Sequence, residues 1–534
     1  MIKKRVCILY FLFLLCAGFI SARIYIIATN GSQASAVLSG QYSRKSEIAS
    51  RPGFVFDRNN KPLNVSQNGY IIYVNPALLK QSEINDAAKA LSEVSQTQSY
   101  HVQKLLSGIP YTFSSSKRLD AEFCKSFEKY EKTQGSFLCH VLGYENSDGK
   151  GVSGVLGAYS DFLSDTEYTA SKVFARYQAD ASGKSFSDTS CEIFVSDYKK
   201  KEGVFLTIDY DIQKIVEDIC DTEENLKMGA VVICSFDSGE ILACVSRPAY
   251  DRKNVAQYLD SQNGELINRA FSGYTPGSVF KIAVCAAALE ENPDFKDTLY
   301  ECTGKISVSG KEISCHKKDG HGEITMKEAF AQSCNPYFIN MGLKVGIEKT
   351  LYYAKLLGIR GYDNINLLKT SASKLPQKNL HLPALVANTS IGQGEILCTP
   401  LEICSLLRTS VTGNFKKPKL IKSTSDCDTQ IPTLEHTEKN VLSYETAEII
   451  RDMMLECVKS GTGKKAESEI VTSAGKTATA QSGQKKDGKE ILHSWFAGFF
   501  PYEAPKYAVC VMCDGNAKNK SAAEIFKKIS EALS

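Results

Sequence analysis

The sequence has almost no excess of charge of either sign. It contains 63 lysines and arginines against 60 aspartates and glutamates, which gives a net charge of +3 at neutral pH. Because balanced charge produces no large field of one sign, we expect no nucleic-acid partner. Disorder is not indicated either, since 43% of the residues are apolar. A chain of 534 residues is too long for one ordinary domain, so two or three domains are predicted.

The sequence also lacks the paired cysteine motifs of a zinc site. Its 18 cysteines are scattered along the chain, and we interpret most of them as buried thiols. Cys510 and Cys513 form a lone CxxC inside the strand-like run YAVCVMC, with no second pair to complete a site. We therefore assign no metal and no cofactor. Cys302 and Cys315 flank a hairpin-like segment, and a disulfide between them remains open.

The N-terminal segment has the features of a membrane anchor. Residues 6–22 carry no charge, follow the basic run Lys3-Lys4-Arg5, and continue past Arg23 into a second apolar stretch. This length can cross a bilayer. The basic flank predicts that residues 1–5 are a cytoplasmic tail, that residues 6–28 span the membrane, and that the rest lies outside. A cleaved signal peptide is the alternative, and it would export the chain as well.

Beyond the anchor the sequence divides into two regions. Residues 29–201 mix short alternating runs with polar helical stretches, which predicts a mixed α+β pedestal domain, of a type associated with dimerisation. Residues 202–534 begin after a lysine cluster and place strands at both ends of a helical middle. This order predicts one α/β (α+β) domain whose sheet joins strands that are distant in sequence.

The segment YTPGSVFKIAVCAAALEEN places a serine and a lysine at the start of a helix. Ser278 falls in the first turn, and Lys281 lies one turn further along the same face. Serine is a poor nucleophile unless a neighbouring base takes its proton, and a lysine with a lowered pKa can act as that base. The backbone N–H of Ser278 could also bind an oxyanion. Taken alone, the motif is better explained as a surface serine and lysine on a helix, because SxxK arises often by chance.

A second polar motif, Ser333-Cys334-Asn335, follows a helical run and leads into an Asn-Pro turn. The hydroxyl of Ser333 could relay a proton to a leaving amine, and the amide of Asn335 could bind a substrate carbonyl. An ordinary turn at the end of a helix explains the motif in isolation.

A third motif, Lys476-Thr477-Ala478-Thr479, lies in a strand of small residues that would let a substrate approach the backbone. Lys476 offers positive charge to a substrate carboxylate, and Thr477 and Thr479 offer hydroxyls. An edge strand protected by a lysine is the alternative interpretation.

Together the three motifs, in the order SxxK, SxN and KT, resemble the signature of penicillin-binding proteins and related β-lactamases. The chain resembles the monofunctional, class B type, with supporting matches in RPGFVFDRNNKPL, LTIDYDIQ, SIGQGEILCTPLE and WFAGFFP. The resemblance implies a fold of the penicillin-binding transpeptidase and serine β-lactamase type. It also implies a peptidoglycan D,D-transpeptidase, which removes the terminal D-alanine of a stem pentapeptide and transfers the acyl group to an amine on an acceptor strand. β-Lactams would trap the same serine.

The resemblance further implies a role for each motif residue. These roles are nucleophile for Ser278, base for Lys281, proton shuttle for Ser333, ligand of the substrate amide for Asn335, carboxylate site for Lys476, Thr477 and Thr479, and oxyanion hole for the backbone N–H groups of Ser278 and Thr479. Ala478 departs from the glycine usual in the family and is expected to narrow the pocket beside the oxyanion. The implied location is the cytoplasmic membrane, and the implied partner is a membrane glycosyltransferase of the shape, elongation, division and sporulation family.

Three other functions remain as alternatives. A D-alanyl-D-alanine carboxypeptidase would use water in place of the acceptor amine. A β-lactamase of class A would need an ExxLN segment after the second motif, and none occurs between Asn335 and Lys476. A non-catalytic scaffold or β-lactam sensor is the third alternative.

Overall fold

The computed structural model describes residues 2–29, 42–164, 171–186, 191–195, 203–361, 364–365, 368–369, 373–424, 439–486, 488–515 and 521–534. Numbered in chain order, the strands are β1 (Ser43–Arg51), β2 (Phe54–Phe56), β3 (Val65–Val74), β4 (Tyr111–Ser115), β5 (Cys124–Lys132), β6 (Ser171–Gln178), β7 (Glu192–Val195), β8 (Gly203–Leu206), β9 (Gly229–Ser235), β10 (Ile241–Arg247), β11 (Tyr300–Cys302), β12 (Lys305–Val308), β13 (Lys311–Ser314), β14 (Gly322–Ile324), β15 (Asn364–Ile365), β16 (Leu368–Lys369), β17 (Asn414–Phe415), β18 (Ile421–Thr424), β19 (Lys439–Asn440), β20 (Ala474–Lys486), β21 (Lys489–Phe500) and β22 (Tyr507–Cys513).

The helices are α1 (Ile2–Thr29), α2 (Ile84–Ser92), α3 (Gln98–Ser107), α4 (Cys139–Leu142), α5 (Gly154–Ala158), α6 (Ser160–Ser164), α7 (Tyr210–Thr222), α8 (Lys281–Glu291), α9 (Met326–Ala331), α10 (Asn335–Val345), α11 (Ile347–Leu356), α12 (Pro383–Ser390), α13 (Pro400–Thr412), α14 (Tyr444–Lys459) and α15 (Ser521–Ala532). Helix α1 contains the apolar stretch Val6–Ile26, with a mean hydropathy of 2.1. This stretch is long and apolar enough to cross a membrane, as expected of an anchor.

The chain forms two compact units. The first comprises Met1–Gly53, Ser66–Glu131 and Asp165–Lys199, and the second comprises Phe54–Val65, Lys132–Ser164 and Lys200–Ser534. The units are therefore built from interleaved segments, whereas the sequence led us to expect consecutive domains at 29–201 and 202–534. The predicted boundary itself falls on residues 196–202, which lie outside the described part of the chain.

The first unit contains two three-stranded sheets, in the orders β1-β6-β7 and β4-β3-β5. Helices α2 and α3 pack on the second of these sheets through a small apolar core that includes Ile72, Leu91, Leu105 and Phe113. Strands and helices thus alternate here, as predicted for a mixed α+β pedestal.

The second unit is organised around a five-stranded sheet in the order β10-β9-β22-β21-β20. Each neighbouring pair in this sheet is antiparallel. The sheet joins two strands near residue 240 to three strands near the C-terminus, so the expected pairing of sequence-distant strands is confirmed. Strand β20 is one of the two edge strands of this sheet, and it carries the third motif.

Helices cover both faces of this sheet because its strands are apolar on both sides. Along β9, Val232 belongs to the core shared with α8, α13 and α14, whereas Val231 and Ile233 belong to the core shared with α7 and α15. This alternation follows from the two-residue period of a strand. Helix α8, which follows the first motif, is buried from Lys281 to Leu289, so it provides a rigid support for the site.

Substituting Phe526 tests whether α15 is an integral layer of this unit. Phe526 is fully buried, with its ring centroid 4.5 Å from that of Phe496. We expect Phe526→Ala to lower the free energy of unfolding by about 3–5 kcal/mol, because it removes buried surface and leaves a cavity. Unfolding in urea, monitored by the fluorescence of Trp495, measures this free energy. Trp495 is the only tryptophan, and it lies in strand β21 of the sheet.

The matched control is Ile470→Ala, at an apolar side chain that is 67% exposed. We expect it to change the free energy by no more than about 0.5 kcal/mol. Equal effects of the two substitutions would contradict the assigned packing.

Candidate active site

Ser278 lies in a short 3-10 turn, Gly277–Phe280, that runs directly into helix α8. Gly277 has a φ of +58°, and a Cβ added there would lie 3.0 Å from the Cβ of Ala480. Glycine is therefore needed both for the backbone conformation and for the close approach of the turn to β20. The N–H of Gly277 donates to the carbonyl of Gly392 at 2.9 Å, so the loop that contains Gly392 also holds the turn in place.

The second motif forms the connection between α9 and α10. Ser333 has a positive φ of 54°, Cys334 is the N-cap of α10, and Asn335 begins that helix. Pro336 then occupies the first turn, where its missing N–H costs nothing. The motif therefore connects the end of α9 to the start of α10. The left-handed backbone conformation of Ser333 turns the chain so that the side chains of Ser333 and Asn335 both reach Lys281.

Lys281 joins the first two motifs. Its Nζ donates to the carbonyl of Ser333 at 2.8 Å, to the Ser333 Oγ at 3.2 Å and to the Asn335 Oδ1 at 2.8 Å. The side chain is fully buried, and its Nζ lies 5.2 Å from the ring centroid of Phe338. The predicted base and the predicted proton shuttle are thus within hydrogen-bonding distance of each other.

The third motif lies on the edge strand β20 and follows the alternation of a strand. Lys476 and Ala478 are buried, whereas Thr477 is half-buried and Thr479 is exposed. The Nζ of Lys476 donates to the carbonyl of Thr477 at 3.1 Å and lies 5.5 Å from the ring centroid of Phe330. The strand therefore turns its threonines toward the cavity and its lysine into the interior of the unit.

Thr462 is a site residue that our sequence analysis missed. Its Oγ1 is 2.7 Å from the Oγ1 of Thr477, and its N–H donates to the carbonyl of Ala331 at 3.0 Å. The glycines on either side of it in SGTG, shortly before the third motif, were the available signal.

A cavity of about 220 Å³ connects the three motifs. It is lined by Ser278, His316, Ser333, Asn335, Thr462, Thr477, Ala478, Thr479, Ser494, Trp495 and Ala523. Of the predicted site residues, the structure brings all but the two lysines to its wall, and both lysines lie buried. Ser494 and Trp495 follow from the pairing of β21 with β20, which the sequence alone does not reveal.

Ala478 stands where the resemblance led us to expect a glycine. Its side chain lines the cavity but is only 5% exposed. A Cβ on Gly277 would lie 3.3 Å from the methyl group of Ala478, so that methyl group extends toward the space that Gly277 leaves vacant.

Burial controls the proton affinity of both lysines. Burial lowers the pKa of Lys281 well below its usual range, and the charge of Lys476 lowers it further. Burial also lowers the pKa of Lys476. The other titratable groups that influence Lys281 are the thiols of Cys334, Cys315 and Cys285. The fraction of Lys281 in the neutral form that can accept a proton is therefore raised near neutral pH.

Comparison with known proteins shows which family the chain belongs to. The family model described as the penicillin binding protein transpeptidase domain matches residues 229–531. Among curated proteins, Stage V sporulation protein D of Bacillus subtilis is 29% identical over 521 residues, which cover 92% of this chain and 78% of that protein. Peptidoglycan D,D-transpeptidase MrdA of Acinetobacter baumannii is 25% identical over 449 residues, which cover 74% of this chain and 64% of that protein.

Among solved structures, penicillin-binding protein 3 of Mycobacterium tuberculosis, in complex with aztreonam, superimposes with a TM-score of 0.63. It is 22% identical, and the match covers 92% of this chain and 96% of that one. This similarity confirms the predicted fold. The chain belongs to the penicillin-binding protein transpeptidase family, so the expected family and class of enzyme are confirmed.

The pKa of Lys281 predicts the pH dependence of acylation. We expect the rate of acylation by a fluorescent penicillin to rise with pH as Lys281 loses its proton, with a midpoint below the pKa of an ordinary lysine. Lys476→Met removes a neighbouring cation, which favours the protonated form of Lys281 and should move the midpoint to higher pH. Lys464→Met, at an exposed lysine of the same region, should leave the midpoint unchanged. A midpoint unaffected by Lys476→Met would rule out this coupling.

Proposed function

We propose that this chain is a peptidoglycan D,D-transpeptidase that works through an acyl-enzyme on Ser278. The observation that carries the proposal is the buried amine of Lys281, which bonds to both Ser333 and Asn335 one helical turn from Ser278. A buried amine with a lowered pKa, in contact with two further polar groups that line a cavity, is suited to proton transfer.

In the acylation step Lys281 is the base. The neutral amine accepts the Ser278 hydroxyl proton as Oγ attacks the carbonyl carbon before the terminal D-alanine. The backbone N–H groups of Ser278 and Thr479 stabilise the oxyanion. The peptide C–N bond then breaks, and Ser333 passes a proton from Lys281 to the leaving amine, so that an ester remains on Ser278. Asn335 holds the amide of the substrate during this step.

The second step reverses the proton transfers. An amine on an acceptor strand attacks the ester, Lys281 and Ser333 accept its proton, and the C–O bond breaks. The proton returns to the Ser278 Oγ, and a new peptide bond joins the two strands. β-Lactams follow the first step, but the ring-opened acyl group remains attached.

The third motif recognises the substrate carboxylate. Thr477 and Thr479 offer hydroxyl groups to it, and Lys476 supplies positive potential from behind the strand. The hydrogen bond between Thr462 and Thr477 fixes the Thr477 hydroxyl, so Thr462 serves as a positioning residue for the carboxylate site.

The cellular location of the catalytic unit is inferred from the apolar helix α1. The Lys-Lys-Arg run before the apolar stretch of α1 favours a cytoplasmic N-terminus, which puts the transpeptidase unit outside the membrane beside peptidoglycan. From the resemblance to monofunctional penicillin-binding proteins, we infer a membrane glycosyltransferase of the shape, elongation, division and sporulation family as the partner that makes the strands. The segments of the first unit are proposed to serve as the pedestal.

Intact mass spectrometry tests the acyl-enzyme directly. After incubation of the full-length chain with a penicillin, we expect one covalent adduct on the wild type and none on Ser278→Ala, because that variant lacks the attacking oxygen. Ser272→Ala, at a serine shortly before the motif, is the matched control and should retain the adduct.

The exchange of a labelled D-amino acid into a pentapeptide substrate then separates transpeptidase from carboxypeptidase. Incorporation of the label supports transfer to an amine, whereas release of D-alanine without incorporation indicates water as the acceptor. Absence of an adduct on folded wild type would favour the scaffold or sensor alternative.

A further inference from the structure

A second cavity lies in the same compact unit as the catalytic one. It has a volume of about 210 Å³, and it shares no lining residue with the cavity around Ser278. Its walls come from Asn64, from residues 132–134 and 143–146, and from Leu156, Arg252 and Lys253. All of these belong to the second unit, so the cavity is built within one folded body.

Hydrogen bonds hold the segments of this wall together. The N–H of Arg252 donates to the carbonyl of Gly135 at 3.2 Å, and the N–H of Thr133 donates to the carbonyl of Asn64 at 2.9 Å. The Nη2 of Arg252 donates to the carbonyl of Thr133 at 2.9 Å and to its Oγ1 at 2.7 Å. The Arg252 side chain is therefore held at the wall instead of extending into solvent.

The charge on this wall is unbalanced. Lys132, Arg252 and Lys253 contribute cations, whereas Glu145 is the one carboxylate among the described lining residues. Glu145 is already paired, since its Oε2 lies 2.5 Å from the Nζ of Lys132. Neither Arg252 nor Lys253 forms an ion pair within the part of the chain that the structure describes. Two positive charges at the wall are thus left without a counter-ion there.

Arg252 is the more informative of these two cations. Burial lowers the pKa of its guanidinium, and its Nε is buried with no acceptor among the described residues. The adjacent carboxylate of Asp251 is engaged elsewhere, because it accepts from the N–H of Gly135 at 3.2 Å and from the Nδ2 of Asn254 at 2.7 Å. A half-buried cation without a partner is costly, so the site is suited to an anion that comes from outside the chain.

We propose that this cavity binds the terminal carboxylate of a peptidoglycan stem peptide, as a second substrate subsite outside the catalytic centre. The choice of ligand rests on the proposed function, in which the unit lies beside peptidoglycan and the stem pentapeptide ends in D-alanine. Arg252 and Lys253 receive the carboxylate through charge-assisted hydrogen bonds. Leu156 lines the cavity and is 7% exposed, so it offers apolar surface to the methyl group of D-alanine.

The size of the cavity agrees with a peptide end. Its volume of about 210 Å³ is below the range of ~300–1,000 Å³ that is typical of sites for drug-sized ligands. One or two small residues fit such a space, whereas a disaccharide of the glycan strand does not. The subsite would keep one uncrosslinked stem peptide on the enzyme while another reacts at Ser278.

Calorimetric titration of the full-length chain in detergent tests the subsite. The chain is first acylated with a penicillin, which blocks the catalytic cavity, and is then titrated with a pentapeptide that ends in D-alanyl-D-alanine. We expect one remaining site per chain. Arg252→Gln should weaken binding at that site at least about tenfold, because it removes a charged hydrogen bond. Arg118→Gln, at an arginine of the first unit whose side chain is 67% exposed, is the matched control and should bind as the wild type does.

Lys253→Gln separates the loss of charge from a folding defect. Lys253 is exposed, so this substitution should preserve the fold while it weakens binding about two- to fivefold. The rate of acylation by the penicillin should be unchanged in both variants, since neither residue belongs to the catalytic site. A pentapeptide amidated at its C-terminus should bind at least about tenfold more weakly than the free acid.

Four results would overturn the subsite. These are acylated wild type that binds no pentapeptide, Arg252→Gln that binds with unchanged affinity, an amidated peptide that binds as tightly as the free acid, and displacement of the pentapeptide by an equal concentration of inorganic phosphate, which would indicate a general anion site. Wild type that forms no penicillin adduct would instead refute the proposed function. The loss of one of two binding sites in Arg252→Gln would then still support the subsite.

Discussion

The site depends on one buried amine. A charged amine removed from water is costly unless it is hydrogen-bonded, and Lys281 is fully buried. Its three acceptors all come from the SxN motif, from the backbone and side chain of Ser333 and from the side chain of Asn335. Because leaving the amine unpaired would be strongly destabilising, this interaction fixes the SxN turn against the start of α8.

The same burial makes the amine reactive. Desolvation and the nearby charge of Lys476 both lower the pKa of Lys281, so the interactions that secure the structure also prepare a base. The third side of the site is an edge strand, and Gly277 allows it to approach the turn that carries Ser278. Lys281 thus holds the SxN turn against the start of α8, and Gly277 lets β20 pack against the turn that carries Ser278.

The order of the three motifs, the chemistry of their side chains and much of the fold could be predicted from the sequence. Lys281, Ser333 and Asn335 were predicted as site residues, and in the structure Lys281 donates hydrogen bonds to the other two. The C-terminal strands also pair with those near residue 240, as predicted. Local periodicity cannot reveal which distant segments pair. The parallel pairing of β2 with β8 therefore went unforeseen, and it helps to place residues 54–65 in the second unit.

Spacing rules failed for the cysteines for a related reason. The two cysteines of the lone CxxC, Cys510 and Cys513, are three positions apart in a strand, so their thiols face opposite cores. Cys302, Cys315, His321 and Cys334 are irregularly spaced in the sequence and come together only through two pairs of short strands and a helix N-cap. Thr462 was missed because a threonine between glycines is too common to signal a role without its contact to Thr477.

The most direct test of this account is the second-order rate constant for acylation of Lys281→Met by a fluorescent penicillin. Methionine preserves much of the side-chain volume but cannot accept the proton of Ser278. We predict a fall of about 10²- to 10⁴-fold relative to the wild type, with the fluorescence of Trp495 unchanged. A rate within about threefold of the wild type would contradict the assignment of Lys281 as the base, since general bases contribute far more than that.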